Sequence, residues 1–126
     1  MAERPAFLNA RTYQLHITVA RQVTVRVGRL GNFDFPPGRY VYTGSARKGM
    51  AARVARHLCS DKPCRWHIDY LLGHPDVRVT HVDYFHEDEC PVNRNTPGRV
   101  VVPRFGASDC AAGCGSHLKL TTGGAG

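Results

Sequence analysis

Segments within the first 45 residues alternate between apolar and polar positions in the manner of β-strands. In residues 12–19 every second side chain is apolar, a period of two that predicts a half-buried strand. The same alternation in residues 22–27 predicts a second strand, and the short Ala20-Arg21 connection predicts a hairpin between the two. Residues 28–38 include adjacent prolines and are predicted to form a loop, followed by a third strand over residues 39–43.

The second half of the chain mixes helical and strand patterns. A helix is predicted over residues 50–58, and a shorter one over residues 66–72. In the first helix, the predicted buried stripe is Met50, Val54 and Leu58, and another face holds Arg53, Arg56 and His57. Residues 77–85 alternate as a strand, and a final apolar stretch covers residues 117–120. Strands interspersed with a few helices predict an α/β domain of the α+β type, with a small mixed or antiparallel sheet flanked by helices.

The length of 126 residues fits one compact domain, because two domains of half that size would each be too small to build a core. We expect this domain to span residues 11–120, between a flexible N-terminus (1–10) and a flexible tail (121–126) that lack periodicity. No apolar run approaches the ~20 residues of a membrane span. Five cysteines, an odd number without a secretory signal, predict reduced thiols in a cytoplasmic protein. Membrane, secreted and collagen-like classes are thereby excluded.

Charge is distributed unevenly along the chain. The formal net charge is +7, with 17 Lys plus Arg and 10 Asp plus Glu. Residues 1–60 hold 10 of the basic residues and 2 of the acidic ones. A basic half beside a mildly acidic half favours a polyanionic partner, because the field of a basic surface attracts phosphates.

Residues 39–58 combine the groups that phosphate chemistry needs. Tyrosines lie on a predicted strand, which leads through Gly44-Ser45 and two cations into a helix with further cations and a histidine. Cations can neutralise charge that develops in a transition state, and a hydroxyl or imidazole can move a proton. A strand, turn and helix with solvated arginines is the alternative.

The chain resembles the GIY-YIG nucleases, and most of all a small, poorly characterised branch of that superfamily. Tyr42-Thr43-Gly44, followed by Arg53 and His57 in the pattern Arg-Val-x-x-His, is similar to the second half of the nuclease core. Arg11-Thr12-Tyr13 would match the first half, and Glu89 the distant metal-binding glutamate. The matching blocks run from about residue 12 to residue 120.

This resemblance implies hydrolysis of a phosphodiester with one divalent metal, Mg²⁺ or Mn²⁺. It implies that Tyr13 or Tyr42 orients or deprotonates the attacking water and that Arg53 clamps the scissile phosphate. His57 would assist, and Glu89 would hold the metal, with Glu87 and Asp88 as rivals. The implied partner is a nucleic acid, DNA in preference to RNA. Its expected contacts are Arg39, Ser45, Arg47, Lys48 and Arg56.

Other polar groups leave alternatives open. Cys59 and Cys64 form a C-x4-C pair, with four residues between them, and Cys110 and Cys114 form a C-x3-C pair; neither is the tight C-x2-C of zinc sites. Free thiols are therefore favoured over zinc. Asp69 is expected to be structural and His67 is undecided, while the histidines at positions 16 and 81 are expected only to fill strands. The remaining functional alternatives are a nucleic-acid-binding module without catalysis and a zinc-stabilised interaction protein.

Overall fold

The computed structural model describes residues 10–46, 49–59, 66–106 and 116–123. These form an α+β domain, as predicted, with a five-stranded and a two-stranded antiparallel sheet and three α-helices. The strands are β1 (Thr12–Val19), β2 (Val23–Val27), β3 (Gly31–Phe35), β4 (Gly38–Ser45), β5 (Val77–Phe85), β6 (Arg99–Val100) and β7 (Leu118–Gly123). The helices are α1 (Met50–Leu58), α2 (His67–Leu72) and α3 (Glu89–Asn95). Among the described residues, no helix is long and apolar enough to cross a membrane.

The large sheet has the strand order β5-β1-β4-β7-β6, so β1 lies between two antiparallel neighbours. Successive side chains of a strand point to opposite faces of its sheet. The face that displays Tyr13 of β1 and Tyr42 of β4 is called the tyrosine face below. The opposite face displays Gln14 and His16 of β1 and Arg39 of β4, and is called the histidine face.

The predicted hairpin between the first two strands is wrong. β1 pairs with β4 and β5, while β2 pairs with β3 in the separate small sheet. The predicted loop over residues 28–38 is wrong in part, since it contains a short 3-10 turn (Gly28–Leu30) and the whole of β3. Glycine, asparagine and aspartate dominate β3 and hide its strand character, but Phe35 at its end is fully buried. Burial of this long-range kind outweighs local propensity.

Helix α1 buries a different stripe from the predicted one. Met50, Val54 and His57 are buried, whereas Leu58 is 56% exposed. At about 100° per residue, position 57 lies about 20° to one side of position 50 on the helical wheel, position 54 lies about 40° to the other side, and position 58 lies about 40° beyond position 54. The histidine therefore belongs to the buried stripe, next to Met50, and points away from the solvated cations with which it was grouped.

Helix α3 begins at Glu89, which places this carboxylate in the first turn. Pro91 is also in the first turn, where a missing N–H costs nothing because the first N–H groups of a helix have no intrahelical partner. Strand β7 then pairs with β4 and extends to Gly123, beyond the predicted apolar stretch.

Candidate functional site

The tyrosine face has a buried hydrogen bond between β1 and α1 at its centre. The Tyr13 hydroxyl lies 2.5 Å from His57 Nε2, and both side chains are at most 3% exposed. Their rings are tilted by 45° with centroids 5.3 Å apart. Because a buried polar group is costly without a partner, this pair fixes the orientation of both rings.

Glycines let the backbone approach the two site tyrosines closely. Gly44 is paired with Tyr13 across the β1–β4 ladder, and a Cβ at Gly44 would lie 2.5 Å from the Tyr13 hydroxyl oxygen. Gly106, with φ of +67°, packs in the same way against Tyr42, at 2.8 Å from a ring carbon to the position of a Cβ. The glycine of the Tyr42-Thr43-Gly44 motif is thus required by the ring that covers it.

Two arginines of α1 stack on one tryptophan. The guanidinium carbons of Arg53 and Arg56 lie 4.9 and 4.3 Å from the Trp66 ring centroid, within the range of cation–π attraction. Arg53 also donates to the Ser45 carbonyl oxygen at 2.9 Å. These contacts hold both cations against Trp66 and tie Arg53 to the end of β4.

Asp69 binds both an arginine and the tryptophan backbone of this group. Its carboxylate is fully buried, accepts from Arg56 at 3.0 Å and accepts from the Trp66 backbone N–H at 2.9 Å. The second contact is one half of a capping box at the start of α2. Asp69 therefore positions both a cation and the helix that presents Trp66.

Glu89 approaches the same site from α3. Its Oε2 lies 2.5 Å from Nδ1 of His117, which is 2% exposed, while the glutamate side chain is 25% exposed. Glu89 and Arg53 both act electrostatically on the hydroxyls of Tyr13 and Tyr42. The acid and the cation therefore both lie within electrostatic range of the same two tyrosines.

Burial dominates the acidity of these tyrosines. It raises the pKa of Tyr13 well above its ordinary value; Tyr42 and Glu89 raise it further, and Arg53 lowers it only in part. Burial likewise raises the pKa of Tyr42, with Glu89 and Asp69 adding to the rise. Both side chains are therefore protonated at neutral pH and serve as hydroxyl donors and acceptors rather than as phenolates.

A family model described as a domain of unknown function, DUF123, matches residues 12–123 of the chain. The chain belongs to the DUF123 family. The match runs from the first residue of β1 to the last residue of β7, so it includes every described residue of the site. No curated protein and no solved structure matches the chain.

In this DUF123 domain, five of the residues proposed from sequence come together: Tyr13, Tyr42, Arg53, His57 and Glu89. Arg56 lies beside them on Trp66, and Ser45 contributes its carbonyl oxygen. Arg39 does not join them, because it points to the histidine face. The predicted contacts Arg47 and Lys48 lie outside the described residues.

Sequence reasoning missed two parts of the DUF123 site. Nothing in the sequence around His117 indicates a role in the site, but its ring binds the Glu89 carboxylate. Asn93, four residues after Glu89 on α3, is 1% exposed and donates to the Ser116 carbonyl oxygen, and its Oδ1 has no hydrogen-bond partner among the described residues. The i to i+4 spacing of Glu89 and Asn93 was the available signal.

A divalent cation is a chemical fit to Glu89, although no three His, Cys, Asp or Glu side chains among the described residues are arranged to hold a metal. Hard divalent cations take carboxylate oxygens and keep several waters, and this partly exposed carboxylate has one oxygen outside its contact with His117. Cys59 is exposed and Cys90 is half-buried. The other cysteines of the two predicted pairs, Cys64, Cys110 and Cys114, lie outside the described residues.

Proposed function

We propose that this DUF123 domain is a metal-dependent nuclease of the GIY-YIG type, which hydrolyses phosphodiester bonds in DNA or RNA. The observation that supports the proposal most is the convergence of Arg53 and Glu89 on the hydroxyls of Tyr13 and Tyr42. A phosphate clamp and a metal-binding carboxylate must face one reaction centre, and here a cation of α1 and an acid of α3 both act electrostatically on the same two hydroxyls.

The proton path in this proposal runs through Tyr13 to His57. Burial keeps the Tyr13 hydroxyl protonated. In this path the Tyr13 oxygen accepts a proton from the attacking water while the Tyr13 hydroxyl gives its own proton to His57 Nε2. An imidazole is the better final acceptor, because its ordinary pKa is near neutrality. Tyr42 lies beside the His57 ring, with centroids 6.1 Å apart, and would help to position the water or phosphate.

Arg53 and Glu89 would act on the phosphate in different ways, Arg53 by direct contact and Glu89 through a bound metal ion. Arg53 would bind the scissile phosphate through its guanidinium, helped by Arg56, which stacks on the same Trp66 ring. Glu89, oriented by His117, would hold Mg²⁺ or Mn²⁺. When bound, such an ion supplies charge neutralisation at the phosphoryl oxygens and at the leaving group.

The direct test is cleavage of labelled single-stranded, duplex and branched DNA and RNA with Mn²⁺ or Mg²⁺. Arg53→Ala and Glu89→Gln should each lower the rate by about 10²-fold or more, as for loss of one charged stabilising group. The matched controls are Arg26→Ala, an exposed arginine on β2 in the other sheet, and Glu87→Gln, an exposed acid two residues before Glu89.

Both controls should cleave at the wild-type rate. Equal cleavage by wild type and by the Arg53 and Glu89 variants would contradict the assigned site. Loss of cleavage in Glu87→Gln but not in Glu89→Gln would assign the metal site to Glu87 instead of Glu89.

A binding module without catalysis is a second candidate, and it is favoured by the burial of the Tyr13 hydroxyl against His57. It predicts affinity for nucleic acids that falls linearly with salt on a double-logarithmic plot and is indifferent to EDTA. Binding without cleavage of any substrate, with Mn²⁺ present, would favour this candidate.

A further inference from the structure

A second polar site lies on the histidine face, away from the tyrosines. A cavity of about 620 Å³ opens there between the sheet and the chain that follows α3. This volume falls within the range of about 300–1,000 Å³ that small-molecule sites occupy. Polar side chains that line it include Gln14, His16, Arg39 and His81.

Two histidines at the cavity share one carboxylate. His16 and His81 are paired across β1 and β5, with ring centroids 5.3 Å apart. The Nε2 of His16 lies 2.8 Å from one Asp83 oxygen, and the Nε2 of His81 lies 2.6 Å from the other. Burial raises the pKa of Asp83, but the hydrogen bonds from the two histidines lower it by more, so this carboxylate is ionised.

The ionised carboxylate fixes the histidine tautomers. Since Asp83 can only accept, each imidazole donates its Nε2–H, and the Nε2–H tautomer of histidine carries its lone pair on Nδ1. An imidazole oriented in this way accepts a hydrogen bond from a ligand hydroxyl. The histidines are therefore more than strand fillers.

Gln14 offers a second acceptor, and its orientation is determined by its partners. Its Nε2 donates to Thr96 Oγ1 at 2.7 Å and to Thr43 Oγ1 at 3.1 Å. Thr96 gives its own hydroxyl proton to the Val92 carbonyl, so it can only accept from Gln14. The amide oxygen of Gln14, in a side chain that is 6% exposed, is left to accept from a donor at the cavity.

Arg39 supplies the positive charge. It lies on the β4 strand opposite Thr18, next to the histidines on the same face, and its guanidinium has no hydrogen-bond or ion-pair partner among the described residues. A guanidinium of this kind binds a phosphate through two parallel hydrogen bonds. Val41 and Pro97 add apolar surface to the wall of the cavity.

We propose that this cavity binds a ribonucleoside monophosphate. Arg39 binds the phosphate, His16 and His81 accept from the ribose hydroxyls, and Gln14 accepts from an amino group of the base. The site is on the opposite face of the sheet from Tyr13 and does not depend on nuclease activity.

Isothermal titration of the full chain with AMP tests the proposal, with adenosine, inorganic phosphate and the 2′,3′-dideoxy form of AMP as separate probes. We expect AMP to bind with Kd below about 1 mM and adenosine to bind at least about tenfold more weakly. Arg39→Ala should weaken AMP binding until its Kd equals that of adenosine. Arg26→Ala, at an exposed side chain of β2 that does not line the cavity, should bind AMP like wild type.

The dideoxy probe isolates the histidines. Wild type should prefer AMP to its dideoxy form, and replacement of both His16 and His81 by Ala should abolish that preference. The single change His81→Ala should reduce the preference. The His81 side chain is 63% exposed, so this variant should keep its fold. No AMP binding at millimolar concentration, or AMP binding lost in Arg53→Ala but kept in Arg39→Ala, would overturn the proposal. Binding of inorganic phosphate as tight as that of AMP would overturn the assignment to a nucleotide.

Discussion

At the scale of single residues, close contact between a ring and a backbone determines what the site tolerates. Tyr13 can pack this closely against β4 only because the residue opposite it, Gly44, has no side chain. The hydroxyl of the same tyrosine is hydrogen-bonded to His57. A change at Gly44 therefore displaces a group that is hydrogen-bonded on its far side.

We predict that Gly44→Ala lowers the free energy of unfolding by about 1–3 kcal/mol, as overpacking of a core does. The added Cβ would meet the Tyr13 ring at 2.5 Å, so the ring must move and the hydrogen bond to His57 must lengthen. Urea denaturation measures the stability.

The matched control for this variant is Gly73→Ala. Gly73 has an ordinary right-handed conformation and its nearest contact to a Cβ would be 3.4 Å, so stability should change by less than about 0.5 kcal/mol. Equal stability of the two variants would contradict the close contact.

At the scale of elements, α2 connects the site to the segment that precedes β7. His67, its first residue, accepts a hydrogen bond at Nδ1 from the Gly106 N–H at 2.9 Å. Gly106 in turn packs on Tyr42. The backbone donor requires the neutral form of His67 at Nδ1, and burial lowers the pKa of His67 below its ordinary value.

We predict that part of the acid sensitivity of the fold comes from His67. In the pH range below its ordinary pKa of about 6.5, the unfolded chain binds a proton that the folded chain resists, so stability falls as the pH is lowered through this range. The slope from one such group is below about 1.4 kcal/mol per pH unit, and solvent screening reduces it further.

Urea denaturation between pH 5 and pH 8 checks this prediction in wild type and in His67→Asn, which retains an acceptor but does not titrate. The variant should lose less stability than wild type on acidification. Parallel stability profiles for the two proteins would exclude His67 as the source.

At the scale of the whole molecule, the two sheets share one hydrophobic core. Apolar side chains of both sheets and of α1 and α2 belong to a single buried cluster, in which Phe35 of the small sheet meets Tyr40 of the large one. Helix α2 packs against β2 and β5, and so bridges the sheets. The domain should therefore unfold in one step.

We predict that Leu71→Ala, in the middle of this bridge, costs about 2–5 kcal/mol and lowers the stability of both sheets together. Leu58→Ala makes the same chemical change at a side chain that is 56% exposed, and should cost less than about 0.5 kcal/mol. Far-UV and near-UV circular dichroism should give coincident transitions for both variants. Separate transitions in Leu71→Ala would mean that the sheets fold independently.

The local pattern predicted those elements whose period is regular. Strand β1, helix α1 and strand β5 agree with their predicted bounds, because alternation and helical spacing are properties of neighbouring residues. Strand β3 was missed, because what stabilises it is pairing with β2 and burial of Phe35 against distant side chains. The partner of β1 was mistaken for the same reason: adjacency along the chain does not decide which strands pair.

The candidate site likewise contains some residues that the sequence predicts and some contacts that it does not. Sequence spacing and a resemblance proposed Tyr13, Tyr42, Arg53, His57 and Glu89, since each belongs to a short motif. Only the tertiary structure decided that Arg39 points to the other face, that Asp69 binds Arg56 and that His117 binds Glu89. Those contacts join residues 13 to 28 positions apart along the chain, or depend on which face of a strand is buried. Local sequence encodes the period of an element, but which faces and ends meet is determined by how the whole chain buries its apolar surface.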